Sequence, residues 1–127
     1  GRYFEMVEQQ AANAFHPDSL GNKVLMQARS AMVLDYGPDR YAAHIRATMA
    51  RPDRSHLLDG GKPTLVVTAS HDTVITPTSV AAYAAAIPGA QHHVVQGAGH
   101  LVPMEKPAES ALLLAEWMVP STVRAAA

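Results

Sequence analysis

With 127 residues, of which 48% are apolar and 17% charged, the chain has the composition of an ordinary soluble globular domain able to bury a moderate core. A formal net charge of −1, with lysines and arginines scattered among acids, removes any electrostatic case for nucleic acid or an anionic membrane surface. The lack of Cys excludes disulfides, thiolate metal sites and a cysteine nucleophile, and no apolar run approaches the roughly 20 residues of a membrane span.

A chain without Cys fits a cytoplasmic protein. No signal peptide opens the sequence, and a first residue of Gly1 rather than Met points to a chain that was processed, tagged or cut from something longer. From Arg2 to Phe15 the apolar residues Phe4, Val7, Ala11 and Ala14/Phe15 recur at the spacing of one helix face. His16-Pro17-Asp18-Ser19 interrupts that helix, because the residue before a proline is biased out of the helical region. Asp18 or Ser19 is expected to cap a second helix over Leu20 to Leu34, with Val24, Leu25, Ala28, Ala31 and Met32 as its apolar stripe. Gly37-Pro38-Asp39 ends it and opens a third, on which Tyr41, Ile45, Thr48 and Met49 share a face. Arg51-Pro52-Asp53-Arg54 stops the third helix, and Ser55 to Lys62 reads as a polar connector closing on Gly60-Gly61.

This helical half is rich in methionine and aromatic residues. Such a stripe is ordinarily core packing. The functional reading for Met26, Met32 and Tyr36 is the wall of an adaptable apolar pocket, since thioethers repack easily around varied ligands. Arg46, Arg51 and Arg54 form a basic cluster, read as a solvated surface or as a contact for a substrate carboxylate.

The pattern changes at Pro63. Thr64-Leu65-Val66-Val67-Thr68-Ala69 is a continuous apolar, β-branched run, as expected of a strand buried on both faces of a parallel sheet. Thr76-Pro77 has the form of an N-cap followed by proline at the first helical position. Val80, Tyr83, Ala84 and Ile87 supply a helix stripe that Pro88-Gly89 terminates. Gln91 to Gln96 is a second strand, and Gly97-Ala98-Gly99 a turn with little side-chain bulk. Glu105-Lys106-Pro107 starts a last helix, running to about Val119 and packing through Ala108, Ala111, Leu112, Ala115 and Met118. Strand, helix, strand, helix with connectors this short is a βαβα unit with parallel strands.

Each strand ends in a turn carrying one polar side chain of catalytic type, Asp72 after the first and His100 after the second. Ligands of open α/β sheets sit outside the carboxyl ends of the strands. One helix and one strand separate the two residues, so they can occupy neighbouring strand ends. A carboxylate accepting from one imidazole nitrogen fixes the ring and stabilises the imidazolium formed when the other takes a proton. His71 is read as a turn or pocket-rim residue. His71, His92, His93 and His100 match no metal-ligand spacing, so neither a metal nor a cofactor is expected.

Pro63 to Val67, then Asp72 and Pro77, Ile87-Pro88-Gly89-Ala90, Gly97-Ala98-Gly99-His100 and Glu105-Lys106-Pro107 together resemble the C-terminal part of the α/β-hydrolase fold family. The resemblance implies a partial α/β-hydrolase fold of the α/β class. It has a helical cap-like segment over 1–62, a βαβα core part over 63–119 and a tail over 120–127. It also implies Asp72 as triad acid and His100 as general base. Met104, Leu101 and Val102, beside the histidine turn, are read as packing residues, with contact to an acyl group as the functional reading for Leu101 and Val102. Ala69 departs from the pattern, where many relatives have glycine.

A larger departure is the nucleophile elbow Gly-x-Ser-x-Gly, which these 127 residues do not contain. The expectation is a hydrolase acting on a small ester, lactone or related acyl substrate, with the nucleophile on another polypeptide and this chain inactive by itself. Relatives with an aspartate nucleophile cleave epoxides or carbon–halogen bonds, and the distinguishing residue lies outside this sequence. An open strand edge over Thr64 to Ala69 invites a partner chain or second copy to complete the sheet. The alternative is a non-catalytic fragment or assembly module that retains the hydrolase sequence.

Overall fold

The structure, a computed structural model, describes residues 2–58 and 61–119. Gly60 of the expected Gly60-Gly61 turn, and the tail from Pro120, lie outside the described residues.

The first expected helix is two, α1 (Arg2–Gln9) and α2 (Ala11–Ala14), which bury Val7, Ala11 and Phe15 as their spacing predicts. Pro17 then opens a one-turn helix, α3 (Pro17–Leu20), capped by His16, whose Nδ1 accepts the Asp18 N–H at 3.2 Å. Asp18 and Ser19 therefore lie inside α3. The long helix α4 (Lys23–Met49) is capped by Asn22 instead, whose Oδ1 accepts the Leu25 N–H at 3.1 Å. The expected break at Gly37-Pro38 is a kink within α4, with Gly37 at φ 74°, ψ 164°.

The inward face of α4 also differs from the expected stripe. Val24 is 76% exposed and Met32 60%, whereas Leu25, Met26 and Val33 are half-buried and Arg29 is 6% exposed. Arg29 donates to Glu8 Oε1 at 2.7 Å and to the Val7 carbonyl, and the Ser30 hydroxyl donates to the same Glu8 oxygen at 3.1 Å. A cation neutralised and hydrogen-bonded in this way can occupy a buried face. Counting apolar letters alone passes over it. Tyr3 ties α1 to α4 through its hydroxyl, which donates to the Val33 carbonyl at 3.1 Å, and through its ring, 5.4 Å from that of Tyr41.

A 3-10 turn over Ser55–Leu57 leads to β1 (Leu65–Ala69), which pairs in parallel with β2 (Gln91–Val95), Leu65 facing Gln91 and Ala69 facing Val95. Between them runs α5 (Pro77–Ala86), capped by Thr76, whose hydroxyl accepts the Ser79 N–H at 3.3 Å. A short helix that the sequence did not announce, α6 (Val102–Glu105), precedes α7 (Pro107–Met118). Ala69, Val95 and Ala98 form the buried centre of this half, covered by Val102 and Leu113.

Leu113 rather than Leu112 is thus the inward residue of α7. Leu112 is 59% exposed and Met118 73%, and Ala108, Ala111 and Ala115 are exposed too. The segment is apolar on nearly every side, so periodicity does not select a face. Helices of that kind belong to cores that cover them on more than one side. No helix among the described residues is long and apolar enough to cross a membrane.

Candidate active site

The pairing of the two strands continues into the turns beyond them. The Ser70 N–H donates to the Val95 carbonyl at 2.9 Å and the His71 N–H to the Ala98 carbonyl at 3.0 Å. The Ser70 hydroxyl accepts the Gly97 N–H at 3.0 Å and lies 2.7 Å from His71 Nδ1. These bonds hold the two turns side by side at the carboxyl end of the sheet, so their next side chains meet.

His100 Nδ1 stands 2.9 Å from Asp72 Oδ2. The other carboxylate oxygen, Oδ1, accepts the N–H groups of Val74 and Ile75, both at 2.9 Å. One oxygen of Asp72 is therefore anchored by its own turn and the other is turned to the imidazole. An ionised carboxylate only accepts, so Nδ1 carries the proton and Nε2 is left with the lone pair that takes another. Asp72 is the more enclosed of the two, its side chain 11% exposed against 35% for His100.

Partial burial pushes the Asp72 carboxyl up. The Ile75 N–H, the His100 ring, the Val74 N–H and the charge of a protonated His100 together outweigh it and hold the group below its ordinary value. A depressed folded-state value gives stability that is complete above the unfolded aspartate value and is lost as pH falls through the folded one. The stability advantage over Asp72→Asn is therefore expected to shrink on acidification below the ordinary aspartate range, as read by urea midpoints across pH. An advantage constant across that range would contradict the assigned cause.

Residues 13–16 brace both turns. The Thr73 hydroxyl donates to the Asn13 carbonyl at 2.8 Å, and the His16 ring meets the His71 ring edge-on, centroids 4.3 Å apart. Gly99 lies flush on the same segment: a Cβ there would stand 2.7 Å from His16 N and from the Phe15 carbonyl carbon. Glu105, read from sequence only as the start of the last helix, is the final residue of α6. It accepts the Gly99 N–H at 2.7 Å through Oε1 and the His16 N–H at 2.8 Å through Oε2. No local pattern announces that pairing, because His16 is 89 positions away.

Of the candidate pocket residues, Met26 is half-buried on α4, while Met32 and Tyr36 are exposed there, with the Tyr36 hydroxyl 3.0 Å from His44 Nδ1. Tyr36 lines an open hollow of about 630 Å³ along the second limb of α4, with Arg40, His44, Thr48 and Arg51 among its other walls and neither Asp72 nor His100 among them. Val102 packs on the Ala69–Val95–Ala98 centre, and Leu101, half-buried, leads into α6. His92 Nε2 lies 2.8 Å from the Thr68 hydroxyl and His93 Nε2 lies 3.6 Å from Glu109.

The family model described as the alpha/beta hydrolase fold matches residues 7–107. Among solved structures, a thermophilic esterase from Thermogutta terrifontis, determined with malate bound, is similar at 30% identity and a TM-score of 0.83, over 89% of this chain and 42% of the esterase. Est816, described as an N-acyl homoserine lactone degrading enzyme, is similar in fold at 24% identity and a TM-score of 0.70, over 90% of this chain and 47% of its own. The chain thus spans less than half the length of either structure. No curated protein matches it.

Proposed function

The chain belongs to the α/β-hydrolase fold family, and from that premise we propose that it supplies the general base, His100, and the acid, Asp72, of a hydrolase acting on a small ester, lactone or related acyl compound. A fold alone does not assign an activity, so the reading rests on the site. The observation that carries it is the 2.9 Å contact between His100 Nδ1 and an Asp72 carboxylate already anchored by two backbone N–H groups. The esterase among similar structures favours acyl transfer as the chemistry.

In this mechanism a serine hydroxyl attacks the substrate carbonyl carbon while its proton passes to His100 Nε2. Asp72 remains ionised and stabilises the imidazolium. Collapse of the tetrahedral intermediate breaks the bond to the leaving alkoxide, which takes the proton from His100. Water then attacks the acyl-enzyme with His100 again as base, releasing the acid and restoring the serine. The serine belongs to a Gly-x-Ser-x-Gly segment outside these 127 residues. A partner chain or second copy that adds alongside β1 completes the sheet, and a partner that carries the serine segment completes the site. The exposed apolar residues Tyr83 on α5 and Leu112, Leu114 and Met118 on α7 support such an association.

The test is native purification with intact-mass analysis, followed by p-nitrophenyl ester turnover with and without any co-purifying polypeptide that carries the serine segment. Turnover is expected only with both present. A protein without such a partner and without turnover in any assembly supports the non-catalytic assembly module instead.

A further inference from the structure

Glu105 makes two bonds that its own helix does not need. Its oxygens accept the N–H groups of Gly99 and His16, one in the histidine turn and one in the segment that braces the acid turn. Gly99 immediately precedes His100, so the bond to its N–H fixes the Ala98–Gly99 peptide and anchors the chain one residue before the imidazole. His16 lies against His71, the neighbour of Asp72, and Asn13 of the same segment accepts from Thr73 on the other side of Asp72. One carboxylate therefore ties together the supports of both members of the pair. Gly99 is buried and His16 half-buried, so neither N–H is readily satisfied by water once the carboxylate is gone.

We propose that Glu105 is a positioning residue of the Asp72–His100 pair, holding the histidine turn against residues 13–16 so that Nδ1 stays on Asp72 Oδ2. It touches neither substrate nor reacting atoms. Its catalytic meaning rests on the reading of Asp72 and His100 as acid and base, but the geometry it controls is measurable without turnover.

The experiment compares Glu105→Gln and Glu105→Ala with the unaltered protein in its complete assembly. Three readouts are taken: kcat and KM for a p-nitrophenyl ester, the downfield proton NMR signal of His100 Nδ1–H, and thermal unfolding. Gln keeps one acceptor oxygen but presents N–H to the second donor, so one of the two ties is lost. Glu105→Gln is expected to remain folded, to lower kcat by about 100-fold with KM nearly unchanged, and to broaden the Nδ1–H signal. Glu105→Ala is expected to lose more on both readouts. Glu109→Gln, which removes a carboxylate near His93 away from the pair, is expected to leave all three as they were.

Folded Glu105 variants with normal kcat and a sharp Nδ1–H signal would overturn the proposal. So would a fall in activity that only tracks the folded fraction, or a Glu105→Gln protein that does not fold, since either makes the role structural alone. An unaltered protein that turns over no ester, yet shows a sharp signal lost on Glu105→Gln, would refute the hydrolase reading and leave the positioning role intact.

Discussion

Replacing His100 with Ala is expected to lower ester turnover of the assembled protein by several orders of magnitude while leaving the fold intact. The side chain is a third exposed and its hydrogen bond goes to Asp72. Truncation leaves Asp72 Oδ1 bonded to the Val74 and Ile75 N–H groups, and removing the partly exposed ring opens Oδ2 to water, so the fold is expected to survive. In the proposed mechanism the reaction loses its general base, and what survives comes from substrate binding and transition-state stabilisation by other groups. Asp72→Asn is expected to cost somewhat less, because the imidazole remains but the Nδ1 proton has lost an ionised acceptor. Comparison of kcat/KM for a p-nitrophenyl ester checks both. Unaltered rates for His100→Ala would remove it from the reaction.

The second large effect is expected at Gly99. Its backbone is not in the left-handed region, so conformational freedom does not explain the glycine. Space does. A Cβ would stand 2.7 Å from His16 N and the Phe15 carbonyl carbon and 2.9 Å from the Ala14 carbonyl oxygen. All three are backbone atoms, so no rotamer change relieves the overlap. Gly99→Ala therefore has to separate the histidine turn from residues 14–16, at an expected cost of about 1–3 kcal/mol. Because that turn carries His100, activity should fall further than the folded fraction. Gly21→Ala, whose new Cβ meets only the Asp18 carbonyl oxygen at 3.9 Å, is the neutral comparison. Equal urea midpoints for the two variants would show that the close approach at Gly99 is relieved without cost.

The βαβ segment was legible because local signals agree there. The apolar run before Ala69, the Thr76-Pro77 cap and the Gly97–Gly99 turn all point to one topology, and β1, α5 and β2 follow it. The helical half was less legible. Pro17 starts a helix of its own, which moves the cap of α4 from Asp18 or Ser19 to Asn22. Arg29 turns inward on α4, because Glu8 neutralises it across 21 positions. On α7 the uniform apolar character concealed that Leu113, not Leu112, faces the core.

The sequence by itself determined the two strand-end turns and the residue types they present, because period, caps and turn chemistry act over a few residues. Only the tertiary structure decided that Asp72 and His100 stand 2.9 Å apart, that Gly99 has no room for a side chain, and that Glu105 joins the histidine turn to His16. Those facts depend on chain segments far apart in sequence being brought to the same few ångströms. Such pairings leave no local periodicity to read.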